Sequence, residues 1–143
     1  MRYSSKRQQY ENSTRSNEIR IIGPNPYAIS YGWWKYWTLE QGVSIFNHYH
    51  YSNSTSKHQR AALRMIAHVD VTLHHTAMSL GDPAAAVRDE IALLQRENIQ
   101  LQARIDAPRT HRARNEERAK EIVVNNQTIA QLKDVLTRLE EDT

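Results

Sequence analysis

Seven histidines are the residues best suited to chemistry in this chain of 143 residues. His48 and His50 form an H-x-H pair. His68 and His75 lie seven apart, two turns along one helical face, and His74 stands beside them. A metal site asks for more. No His-Glu-x-x-His pattern exists, Asp70 is the one carboxylate at ligand spacing, and there is no cysteine. No metal and no cofactor are therefore expected. The histidines read as loop and helix-surface residues whose titration makes association pH-sensitive between about pH 5 and 7. Catalysis has equally little footing: there is no Gly-rich phosphate loop, no G-x-S-x-G and no carboxylate pair in an apolar frame. The expectation is a protein that is not an enzyme.

Cations suggest a second chemistry. Residues 1–20 hold five cations against two carboxylates, as do residues 108–120, whereas 121–143 hold two against five. Arg2, Lys6 and Arg7 precede an aromatic block, and Arg109, Arg112 and Arg114 form a second cluster, so phosphate contacts and base stacking both have candidates. Glu116, Glu117 and Glu121 dilute the second cluster, and no named nucleic-acid module is visible. Nucleic-acid binding, expected to be weak, is the alternative function.

The elements that must position these residues divide by composition. All eleven aromatic side chains, from Tyr3 to Tyr51, lie in the first 51 residues. Aromatics bury the most area per residue, so the N-terminal third must be built around them, with the Trp33-Trp34-Lys35-Tyr36-Trp37 cluster read as core. The rest must rely on aliphatic seams. Residues 1–20 carry too little apolar surface to offset chain entropy and read as a disordered basic arm. Residues 21–56 are an aromatic-rich module with a Ser-rich link. Ile19–Ile22 is a short strand or extended arm, Gly23-Pro24-Asn25-Pro26 a turn, and residues 31–51 fit two short helices or a helix with extended flanks.

Ser56 can cap a helix starting at Lys57. Ala62, Ile66, Val69, Leu73, Thr76 and Leu80 then recur at spacings of four and three, predicting one amphipathic helix over 57–81 that ends at Gly81. Asp82-Pro83 restarts a helix, with an N-cap followed by proline at the first helical position. In residues 82–107, Ala84, Val87, Ile91, Leu94, Asn98, Leu101 and Ile105 repeat at 3 and 4. That 3.5-residue period is the one that keeps a seam facing a partner helix, with Ile at a and Leu at d favouring two parallel strands. A lone Asn98 in this seam asks for an amide partner, most easily the same Asn on a second chain. The competing arrangement folds the stripe against residues 62–80 or 122–139 of its own chain as an antiparallel hairpin. Self-association is the preferred reading. Pro108 breaks the helix, and residues 108–143 form a basic link and a second amphipathic helix with the seam Ile122, Asn125, Ile129, Leu132, Leu136 and Leu139.

The block Ile66-Ala67-His68-Val69-Asp70-Val71-Thr72-Leu73-His74-His75, after a Trp-containing segment at Trp37 and before the coil, resembles the small first-open-reading-frame protein of badnaviruses, plant pararetroviruses with DNA genomes. The resemblance covers residues 37–105. It implies a non-enzymatic protein associated with virus particles, with a viral coat or host protein as partner, and brings no catalytic residues.

The expected fold is mainly α: an elongated helical protein with a C-terminal coiled coil and a small aromatic-rich N-terminal module. The expected function is assembly as a homo-oligomer, a parallel dimer or tetramer. No apolar run of 18 residues and no secretory leader occur, so no membrane association is expected. The expected location is the cytoplasm: host cytoplasm or virus particle, if the resemblance is followed.

Overall fold

The computed structural model describes residues 16–109 and 111–141. Five strands form one sheet in the order β1-β2-β3-β4-β5, with β1 Asn17–Arg20, β2 Tyr27–Ser30, β3 Trp34–Glu40, β4 Val43–Asn47 and β5 Val71–Leu73. The first four strands run antiparallel in sequence, and β5 joins β4 in parallel. Three helices complete the chain: α1 Asn53–Leu63, α2 Pro83–Asp106 and α3 Arg112–Glu140. This mixed sheet overturns the mainly-α, elongated coiled-coil expectation.

The error lies in residues 17–80. Residues 17–20 pair in β1, so the arm expected to be disordered is ordered there, while residues 1–15 lie outside the described residues. The segment 31–51, expected to be helical, is instead a β-hairpin. Glu40 and Val43 pair, leaving a two-residue loop in which Gln41 (φ 50°) and Gly42 (φ 73°) are both left-handed. A loop of that kind matches the twist of the flanking strands, and Gly42 supplies one of its two positive φ angles at no steric cost. Between Ala28 and Ile29 the β2–β3 register shifts, which leaves Tyr36 as an extra residue. Bulging lets Tyr36 and Trp37 both bury their rings.

The helix expected over 57–81 ends at Leu63. Ser52, not Ser56, is its N-cap, accepting from the Thr55 N–H at 3.1 Å. The four-three spacing that ran on to Leu80 crosses β5, where Val71 and Leu73 alternate inward at period two. Leu73 fits either period, and pairing with β4 decides between them.

β4 is buried along its whole length because both faces of the sheet are covered. Phe46 joins Ile19, Ala28, Trp34, Tyr36, Trp37 and Ala62 on the α1 side. Val43 and Ile45 join Val71, Leu73, Leu80, Val87, Ile91, Leu94, Ile129 and Leu132 on the other, beneath α2 and α3. Asp82 caps α2 by accepting from the Ala85 N–H at 3.1 Å, with Pro83 in its first turn, and the helix stops before Pro108. These local signals act as the sequence predicts.

Candidate functional site

Helices α2 and α3 pack antiparallel, and their seam is internal to the chain. Val87, Ile91 and Leu94 meet Ile129 and Leu132, with Leu136 and Leu139 half-buried alongside, all over the sheet. Farther out Leu101 is buried and Ile105 and Ile122 are half-buried. Asn98 finds its amide partner within the chain: Asn125 Nδ2 donates to its Oδ1 at 3.0 Å, and its own Nδ2 donates to Asn126 Oδ1 at 2.9 Å. The seam of residues 84–105, expected to face another copy in parallel, therefore faces the second seam of its own chain, as in the competing antiparallel arrangement. A heptad stripe states that a helix must meet a helix, and the second seam, returning after Pro108, supplies one in the same chain.

The base of this hairpin is locked to the sheet by a buried carboxylate. Glu90 on α2 is 2% exposed. Its oxygens accept the backbone N–H groups of His74 at 3.2 Å, His75 at 2.9 Å and Thr76 at 2.8 Å, and contact His75 Nδ1 at 2.9 Å. Asp89 next to it accepts the Thr76 hydroxyl at 2.6 Å. The other ring nitrogen of His75 lies 3.3 Å from Glu97. Glu97 in turn accepts from Asn125 at 3.4 Å and hydrogen-bonds Glu121 of α3, which pushes the Glu121 carboxyl above its ordinary range. The chain of groups ties the segment after β5 to α2, and α2 to α3. Nothing in the sequence pattern marks Glu90 for this role. No periodicity reveals it, because its partners are amides of a turn. His74 is held below the usual histidine value by burial, with the charge of Glu90 opposing that. His48 stands 6.0 Å from it, ring to ring.

On the opposite face, His58 of α1 places Nδ1 2.7 Å from Ser30 Oγ and Nε2 3.3 Å from Ser16 Oγ. Burial lowers its pKa, which favours the neutral base. Ser30, however, is 1% exposed, so its hydroxyl is closed to a substrate, although His58 lines a surface cleft with Ser16, Tyr31 and Lys57. The single Tyr36 hydroxyl proton is shared between Asn17 Oδ1 at 2.7 Å and the His58 carbonyl at 3.0 Å, and burial pushes its phenol upward, opposed by the Asn17 bond. Among the described residues no three His, Asp or Glu side chains converge as metal ligands.

Of the cations singled out for nucleic acid, Arg2, Lys6 and Arg7 lie outside the described residues. Arg109, Arg112 and Arg114 sit exposed at the hairpin tip, with Arg112 3.6 Å from Glu116 and Lys120 3.7 Å from Glu117. The aromatic block does not face them: Trp34, Tyr36 and Trp37 are core, and the exposed Trp33 packs edge-on against Tyr51 on the sheet module. The block from Ile66 to His75, read as part of one helical face, is split between a loop, β5 and the turn that binds Glu90.

No protein-family model, curated protein or solved structure matches the chain. No helix among the described residues is long and apolar enough to cross a membrane.

Proposed function

We propose that this chain is a non-enzymatic, self-associating interaction protein whose helical arm pairs with the arm of a second copy. The observation that carries the reading is the outer half of the hairpin. Beyond the sheet its seam is one layer deep, and Ile99, Val123 and Val124 are 71, 55 and 56% exposed. All three stand at the level of the Asn98–Asn125–Asn126 layer. Two antiparallel helices with a polar layer and outward β-branched side chains form half of a four-helix bundle. The same Asn layer would set the register of the second half.

The expected strength is modest. Six such side chains across two copies, at about 1.5 kcal/mol each, supply roughly 9 kcal/mol. The association cost of roughly 4–15 kcal/mol cancels most of it. A concentration-dependent dimer follows, and not an obligate one. Such an assembly presents the sheet module in two copies, with a viral coat or host protein as the partner class implied by the badnavirus resemblance. Sedimentation equilibrium tests this. The intact chain should show a monomer–dimer equilibrium, and Val124→Glu should leave a folded monomer. A dimer indifferent to Val124→Glu and Ile99→Glu would refute it.

A further inference from the structure

The loop after α1 and the β3–β4 hairpin enclose a cleft of about 290 Å3, lined by Ile21, Pro26, Trp37, Leu39, Ile66 and Asp70 among others. Its walls are apolar, and a carboxylate stands in its lining. The Asp70 carboxylate is fixed in place. Its Oδ2 accepts the Ser44 N–H at 2.8 Å, and the Asp70 N–H donates back to the Ser44 carbonyl at 2.9 Å. Ser44 Oγ accepts from the Trp37 indole at 3.0 Å, so the wall and the charge are held by one residue. The second oxygen of Asp70 contacts His68 Nε2 at 2.7 Å, but His68 is 74% exposed and Asp70 38%. A carboxylate offers about four acceptor positions, so Asp70 has room for another donor beside the two it holds. The Ser44 amide first, and then His68, keep its carboxyl below the ordinary aspartate range, so it is an anion at neutral pH.

We propose that this cleft binds a small organic cation: a primary ammonium on a flat apolar body, the ammonium on Asp70 and the body against Trp37 and Leu39. Charge complementarity selects the cation. The volume, just below the roughly 300–1,000 Å3 of small-molecule sites, selects a fragment-sized ligand. A preformed, largely apolar wall with a small number of placed polar groups is the usual composition of such sites. Arg138 of α3 approaches Gly42 at the edge of the cleft, and its charge also reaches Asp70. An organic acid would find Asp70 repulsive, whereas an amine takes the place of the solvent-exposed His68 imidazole.

Tryptamine, tryptophol and indole-3-acetate share one ring and differ in charge, so they are the probes. Calorimetry and saturation-transfer NMR on the full chain should show tryptamine binding with a Kd of roughly 1 mM or tighter. Tryptophol should bind at least tenfold more weakly and indole-3-acetate not at all. Asp70→Asn keeps an oxygen for the Ser44 N–H and should weaken tryptamine tenfold or more. His68→Ala should bind it at least as well as the unaltered chain. Equal binding of tryptamine and tryptophol, which needs no variant, overturns the proposal. So does tryptamine binding that survives Asp70→Asn, or its absence at several times that concentration.

Discussion

Replacing Glu90 with Gln tests how the hairpin is anchored to the sheet. In the native chain this buried carboxylate receives three backbone N–H groups and faces one imidazole nitrogen, at 2.8 to 3.2 Å. A hydrogen bond to a charged group contributes about 1.5–3 kcal/mol. Glutamine keeps one acceptor oxygen, but its amide nitrogen turns a donor toward donors. About two of the four bonds are lost, and the expected cost is about 3–5 kcal/mol, in the range for breaking a buried charged contact. A fold of this size has roughly 5–15 kcal/mol in hand, so the change is severe. It should lower Tm by about 6–20 °C at roughly 2–4 °C per kcal/mol. Urea unfolding followed by circular dichroism and tryptophan fluorescence measures it. Hydrogen exchange should show protection falling first at the amides of His74, His75 and Thr76. A Gln variant within about 1 kcal/mol of the parent, with those amides still protected, would refute the assignment of Glu90 as anchor.

Other outcomes follow from the same geometry. Gln41→Asn, at a left-handed position before Gly42 in a two-residue hairpin loop, should stabilise by about 0.5 kcal/mol, read as a small rise in Tm. Asn125→Ala should cost about 1 kcal/mol by stranding Asn98, whereas Asn98→Leu combined with Asn125→Leu should cost less than the sum of the single changes in a double-mutant cycle. For Asp70, the folded pKa lies below the unfolded value. Its stabilisation is full above the ordinary carboxylate range near pH 4 and is lost as pH falls through the folded value. Asp70→Asn should therefore flatten the acid limb of a pH–stability curve. His58, lowered by burial, works in the same direction. Stability is full above the ordinary histidine value of about 6.5 and falls as pH drops from there toward the folded value, and NMR titration should place its midpoint below that ordinary value.

How much was legible in the sequence follows from which signals are local. The Asp82-Pro83 start and the Pro108 stop are decided by a few adjacent residues, and α2 keeps to them. Likewise the amide demanded by Asn98 was readable, but not its source, because a heptad stripe does not say to which chain the partner helix belongs. The sheet was illegible for a different reason. Trp34 to Trp37 break strict alternation through the bulge at Tyr36, and the left-handed turn carries Gln41 where Asn or Asp would have marked a hairpin. Leu73 fitted a helical stripe with Val69 as well as a strand with Val71, and only hydrogen bonding to β4 distinguishes them. In the candidate cleft, Asp70 was visible only as a stray metal ligand. Its link to Trp37 runs through Ser44, 26 residues away.

Because the chain has no cysteine, one introduced at the exposed Gln127 gives a single spin label per molecule, and any dipolar coupling must arise between copies. Pulsed electron–electron resonance on Gln127→Cys should yield one resolved intermolecular distance that grows in with concentration and vanishes on adding Val124→Glu. Uncoupled labels at every concentration, on a chain whose circular dichroism is intact, would contradict arm-to-arm assembly.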